Sequence, residues 1–214
     1  MVFRDRKEAG KKLAEALVFL KGKDVVVLGI PRGGVVVADE VARALRAPLD
    51  VVVTKKIEAP GEPEFALGAV TQEGEVIMDR EAAESLGATP EYLDDQVRKK
   101  KDEVKQRLER LRGDAPYPEL AGRVVVIVDD GIATGSSVGA AVISVKRRKP
   151  MEIVVAVPVA PPDAVGALTE DGVKVVCLVT PESFLAIGEF YADFNQVEDL
   201  EVKRMLHENA LERR

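Results

Sequence analysis

Tryptophan is absent from this chain, cysteine and histidine each occur once, and only 4% of the residues are aromatic. Each shortage removes a class of function. The single Cys177 sits in the apolar run VKVVCLV and cannot close an internal disulfide, which suits a reducing compartment. The single His207 lies in a polar C-terminal stretch, where a surface role is expected, which disfavours a His-based hydrolase triad or a His/Cys zinc site. No apolar run approaches about 18 residues and no charged-then-apolar leader is visible, so no membrane-spanning helix is predicted and a cytoplasmic protein is expected. A formal net charge of −6 argues against a protein built to coat nucleic acid or an anionic membrane. The pattern G-x-x-x-x-G-K-[ST] does not occur, which excludes a P-loop.

What is present is ordinary for a water-exposed globular domain: 46% hydrophobic and 32% charged residues over 214 positions. That length is enough for one substantial domain with a small appendage. Glu, Lys and Arg are abundant where Asn and Gln are scarce, a composition of the thermophile kind. The most informative stretch is residues 123 to 137, RVVVIVDDGIATGSS. Five apolar, mostly β-branched residues (Val124 to Val128) read as a strand buried on both faces, as in a parallel sheet. Asp129 and Asp130 follow, then a small-residue loop. Val138, Ala141, Val142 and Val145 then repeat at helical spacing, with Ser136 or Ser137 as the expected N-cap.

The same grammar occurs earlier. Asp24 to Ile30 is a buried-strand pattern that runs into Pro31-Arg32-Gly33-Gly34, and a helix follows with Val37, Ala38, Val41 and Leu45 on one face. With a further strand at Leu49 to Thr54, the two units predict a βαβ arrangement. An amphipathic helix over 5 to 21, capped by Asp5, precedes them. Residues 55 to 75 change character: Pro60, Gly61 and Pro63 argue against regular structure there, with a short antiparallel pair expected around Gly74 and a functional loop as the overall reading. Thr89-Pro90-Glu91 starts a long helix ending at Gly113. Its cluster Arg98 to Lys101 reads as a solvated face balanced by nearby acids, rather than as an RNA-binding patch. Strands are expected at 152 to 159 and 174 to 179, with a helix at 162 to 170 between them. Phe184, Phe190, Tyr191 and Phe194 cluster before a terminal helix.

The acidic pair and the loop after it carry the chemistry. Carboxylates at a strand end accept hydrogen bonds from vicinal hydroxyls or hold Mg²⁺ through water. Hydroxyls and free N–H groups at a helix N-terminus suit a phosphate dianion. Together they fit a sugar phosphate. VVIVDDGIATGSS (Val125 to Ser137) resembles the phosphoribosyl pyrophosphate (PRPP) signature of type I phosphoribosyltransferases, and the loop pattern is most similar to the adenine-type members.

That resemblance implies several roles. Asp129 and Asp130 would bind the ribose 2- and 3-hydroxyls, and Mg²⁺ through water. The loop Ala133, Thr134, Gly135, Ser136 and Ser137 would hold the 5-phosphate. In this family the turn after the first core strand grips pyrophosphate, often through a cis non-proline peptide, and Arg32, Gly33 and Gly34 match it. Lys55 and Lys56, ahead of Pro60-Gly61, resemble the segment that precedes a closing loop, and are the candidates for screening charge in the transition state; Thr54 stands where arginine is usual. Ala133 matches the position at which 6-oxopurine enzymes carry an acidic general base, which disfavours hypoxanthine or guanine.

The expected fold is therefore α/β: a parallel-sheet core with helices on both faces, the type I phosphoribosyltransferase fold, plus a small hood. The chain reads as a single domain, 1–214, with its core over about 20–180, a flexible loop over about 57–75, and a hood from the N-terminal helix and 181–214. The aromatic cluster reads equally as a base-stacking hood, a small core or a homodimer contact. The implied activity is Mg²⁺-dependent transfer from PRPP to a nitrogenous base, as in salvage of bases for nucleotide metabolism. The alternative is a PRPP-binding sensor without turnover.

Overall fold

A computed structural model of the protein describes residues 2–113 and 115–212, with the backbone alone at 63 and 64. Two apolar runs set the centre. β1 (Val25–Gly29) and β6 (Val124–Val128) lie side by side in parallel, with Val25 opposite Val124 and Gly29 opposite Val128. β2 (Leu49–Val51), β7 (Glu152–Val159) and β8 (Lys174–Val179) complete a five-stranded parallel sheet in the order β2-β1-β6-β7-β8. All five residues of β6 are 0% exposed. Their side chains alternate between two cores, so both faces of the strand need apolar residues and no polar alternation can appear.

On one face, Val25, Val27, Val124, Val126 and Val128 pack with α1 (Arg6–Ala16), α2 (Gly33–Leu45) and α7 (Asp199–Glu212). On the other, Val26, Leu28, Val125 and Ile127 pack with α5 (Ser136–Lys146) and α6 (Pro162–Glu170). Burying each such side chain contributes about 1.5–3 kcal/mol. The N-terminal helix is shorter than expected: α1 stops at Ala16 and a 3-10 turn spans Val18–Leu20. Asp5 does cap it, accepting from the Glu8 N–H at 2.7 Å. α1 and α7 pack in the main core on the sheet, while Phe3, Ala9 and Tyr191 form a small separate cluster, with Phe3 bridged to Tyr191.

The segment 55–75 departs from expectation. Pro60 and Gly61 do not interrupt regular structure; they turn a hairpin between β3 (Lys55–Ala59) and β4 (Glu62–Val70), with Gly61 at φ +74°. A positive φ is what glycine supplies at such a turn. The ladder shifts register between Ile57 and Ala59, which absorbs the irregularity that the prolines suggested. β5 (Val76–Met78) adds a third antiparallel strand. A short α3 (Arg80–Ser85) and the 23-residue α4 (Pro90–Arg112) follow, the latter capped by Thr89 and ended at Gly113.

Candidate functional site

The sheet places the site. Strand order reverses around β1 and β6, so the connections leaving their carboxyl ends diverge and open a crevice between them. The PRGG turn leaves Gly29 and the acidic turn leaves Val128, and those two residues are register partners. The peptide between Pro31 and Arg32 is cis.

The two turns are in near contact. A Cβ on Gly33 would lie 1.9 Å from Asp130 Oδ2; one on Gly34 would lie 2.7 Å from Asp129 Oδ1 and 2.8 Å from Asp129 Cα. Both glycines are therefore required by the acidic pair itself, whatever ligand approaches later. Asp129 Oδ1 accepts the Asp130 N–H at 2.8 Å. Burial, with the neighbouring Asp130 charge added, pushes the Asp129 carboxyl well above its ordinary range. Asp130 is held from three sides. The Arg6 Nε donates to its Oδ2 at 2.6 Å, the Tyr191 hydroxyl donates to its carbonyl at 2.6 Å, and Gly33 closes the rest.

A cavity of about 760 Å³ opens beside this pair. Arg32, Gly33, Lys55, Lys56, Asp130 and Ser137 all line it, so half of the residues expected at the site converge on one space. Gly34 and Asp129 stand behind them. Ala133 and Thr134 are exposed, and the loop from Ala133 to Ser136 is outside the cavity lining. The N-cap of α5 is Gly135 in the left-handed region, not a serine; Ser136 is the first helical residue, and the Thr134 and Ser136 hydroxyls lie 3.1 Å apart. The first N–H groups of α5 therefore have no side-chain cap, the condition in which a helix N-terminus accepts an anion.

Three cavity residues escaped the sequence reading. Lys100 belongs to the basic cluster read as a solvated face, yet it is buried, 3.0 Å from Glu58, and lines the cavity. Arg107, two turns further along α4, pairs with Asp199 at 2.7 Å. Arg6 comes from the other end of the chain. For Lys100 a signal existed: it stands three residues after Val97 and four before Val104, inside the apolar stripe of α4. For Arg6 no local signal exists, because its partner is 124 positions away.

The remaining expectations divide. Lys55 pairs with Glu103 at 3.3 Å, whereas Lys56 has no carboxylate partner among the described residues. The aromatic tail packs on itself: Phe184 on Phe190 at 5.6 Å, Tyr191 on Phe194 at 5.0 Å and on Phe3 at 5.5 Å. The Arg6 guanidinium lies 3.8 Å from the Phe194 ring centre, and Phe194 lines the cavity. His207 and Cys177 stand apart from the cavity. No group of three or more His, Cys, Asp and Glu side chains fit to hold a metal occurs among the described residues. No helix among them is long and apolar enough to cross a membrane.

A reversal crevice in a parallel sheet, with an acidic pair on one strand end and a cationic glycine turn on the next, defines a phosphoribosyl transferase fold. The chain belongs to that family: the phosphoribosyl transferase domain model matches residues 4–195. It is 42% identical over 205 residues to Rv0571c of Mycobacterium tuberculosis strain H37Rv, which bears the name of a phosphoribosyl transferase. That match takes in 96% of this chain and 46% of the relative, so the chain spans about half the length of the curated relatives it matches. Among solved structures, TT1426 from Thermus thermophilus is similar with a TM-score of 0.87 and 48% identity, over 97% of this chain and 99% of that one. A hypothetical protein from Neisseria gonorrhoeae shares the fold alone, with a TM-score of 0.51 and 14% identity over 97% of this chain and 96% of its own.

Proposed function

We propose that this domain transfers the 5-phosphoribosyl group of PRPP to a nitrogenous base and releases pyrophosphate. The observation that carries the reading is the meeting of the PRGG turn and the Asp129–Asp130 turn at paired strand ends, beside a cavity walled by cations. Asp130, fixed by Arg6 and Tyr191, would accept hydrogen bonds from the ribose hydroxyls, with Asp129 behind it. Ser137, Thr134 and the uncapped N–H groups of α5 would hold the 5-phosphate. Arg32, Lys55 and Lys56 would face the pyrophosphate, with Lys100 and Arg107 forming the outer wall.

The reaction breaks the C1–O bond to pyrophosphate and forms a C1–N bond to the base, through an oxocarbenium-like transition state. Negative charge grows on the leaving group, so fixed cations aimed at it do most of the protein's work, together with positioning. Asp129 and Asp130, the latter already engaged by Arg6, are the residues that would help hold a Mg²⁺. Bound there, it would supply further charge for the departing pyrophosphate. Alanine at 133 cannot move a proton, so bases of the 6-oxopurine kind are disfavoured, while adenine, orotate or another base stays open.

The test is pyrophosphate release by the purified protein with Mg²⁺ and PRPP against a broad panel of bases. No release with any base would overturn the transferase reading. The rival is a PRPP sensor without turnover. The cavity cations Arg6, Lys55, Lys100 and Arg107 are already paired with carboxylates, so PRPP would compete for them in either reading. Calorimetric binding of PRPP without exchange of labelled pyrophosphate would select the sensor.

A further inference from the structure

Arg6 is placed oddly for a helix residue at the chain's start. Its side chain is 11% exposed and that of Asp130 is 12%. The Nε donates to Asp130 Oδ2 at 2.6 Å, while Nη1 donates to the Asn195 carbonyl at 2.8 Å. The flat guanidinium lies 3.8 Å from the Phe194 ring centre. Three elements meet at this one group: the start of α1, the acidic turn after β6, and the segment 194–197 that roofs the cavity.

The fit is specific. The absent Cβ of Gly33 leaves the space in which Asp130 Oδ2 and Arg6 Nε sit, 1.9 Å and 2.8 Å from where that carbon would be. The ion pair engages one carboxylate oxygen, Oδ2, and among the described residues no cation pairs with Oδ1. The Tyr191 hydroxyl fixes the carbonyl of the same residue at 2.6 Å. A carboxylate pinned by one oxygen can present the other in a single direction, which is the requirement for recognising a diol.

We infer that Arg6 is a positioning residue, a clamp from the first helix that aims Asp130 at the ribose hydroxyls and joins it to the 194–197 segment. The inference rests on the phosphoribosyl reading above. Arg6 also supplies a fixed positive charge next to the acidic pair, so the clamp acts without a divalent cation. Arg6→Lys keeps the charge but loses the planar fork and the ring contact, so it should restore only part of the effect.

Calorimetry on the full chain, in EDTA, with ribose 5-phosphate and with inorganic pyrophosphate as separate probes, tests this. The expected result is that Arg6→Gln raises the Kd for ribose 5-phosphate about tenfold or more, the size of one charge-assisted hydrogen bond. Pyrophosphate binding should change by less than about threefold, because its cations come from Arg32, Lys55 and Lys56, and Arg6→Lys should recover part of the ribose 5-phosphate affinity. Equal loss of both probes would overturn the inference in favour of a general electrostatic role. Unchanged or tighter ribose 5-phosphate binding would overturn it too, the latter marking Arg6 as a plug. If the unaltered protein bound pyrophosphate but not ribose 5-phosphate, the phosphoribosyl reading itself would fall and the clamp with it.

Discussion

At the scale of single residues, Gly33 and Gly34 separate two kinds of damage. Gly34→Ala sets a methyl 2.8 Å from Asp129 Cα and 2.9 Å from the Val128 carbonyl, backbone atoms that cannot swing aside. The expected cost is about 1–3 kcal/mol of overpacking, read as a fall in melting temperature of about 2–4 °C per kcal/mol. Gly33→Ala instead meets side-chain atoms of Asp130 and Arg6, which can turn away. Melting should move less, while ribose 5-phosphate affinity should fall more than for Gly34→Ala. If both variants melted and bound alike, the close approach of the two turns would not be what aims Asp130.

Lys100 gives a second test at the same scale. Its ammonium is buried against Glu58 at 3.0 Å, with side chains 11% and 24% exposed. Lys100→Met strands that carboxylate and should cost about 1–3 kcal/mol, below the value for a fully buried pair because Glu58 retains water. Adding Glu58→Gln should return most of that loss in a thermal-melt double-mutant cycle. A single-site loss that the second change does not relieve would show that Lys100 acts through packing. The acidic pair and the PRGG turn were legible in the sequence because each is contiguous. Lys100 was half legible: its helical position was available, but the charge run around it masked which lysine points inward. Arg6 was illegible, since a long-range pair leaves no trace in spacing.

Among the elements, the central strands read true because a sheet covered on both faces demands unbroken apolar runs, and β1, β6 and most of β7 obey that demand, while β8 at the sheet edge is only half buried. The small sheet did not, because Pro60 and Pro63 look like breaks while the Pro-Gly corner in fact turns a hairpin. Ile57, Leu67 and Val70 bury that sheet in the main core, and Glu73, after β4, adds a polar tie to the α5 side. It accepts from Ser144 on α5 at 3.0 Å and pairs with Arg148 at 3.0 Å. Burial raises the Glu73 carboxyl, but Arg148 and Ser144 outweigh it and hold it below its ordinary 4.5. The unfolded chain therefore takes up this proton before the folded one does. The contribution is fully present above about pH 4.5 and is lost as pH falls through the lower folded value. Glu73→Gln should cost about 1–2 kcal/mol at pH 7, and the melting gap to the unaltered protein should shrink at about pH 3.5. A gap independent of pH would mean that the charge of Glu73 does not help tie the sheet to α5.

For the molecule as a whole, one carboxylate joins parts that the sheet alone leaves separate. Asp199, the first residue of α7, lies 2.7 Å from Arg107 and 3.4 Å from Arg110 on α4, and 4.0 Å from Arg32 in the PRGG turn. It thus ties the C-terminal helix, the helix behind the small sheet, and the cationic wall of the cavity. The same contact that holds these elements together also neutralises charge that pyrophosphate would need. Asp199→Asn should consequently move two measurements in opposite directions. Melting should fall, because Arg107, 20% exposed, loses its counter-ion at a cost of about 1–2 kcal/mol. Pyrophosphate should bind severalfold more tightly, because Arg32 and Arg107 no longer face an internal anion. Binding that weakened along with stability would instead make Asp199 the group that aims the arginines at the cavity, and the fold would then be tuned for geometry at that wall rather than holding its charge in reserve.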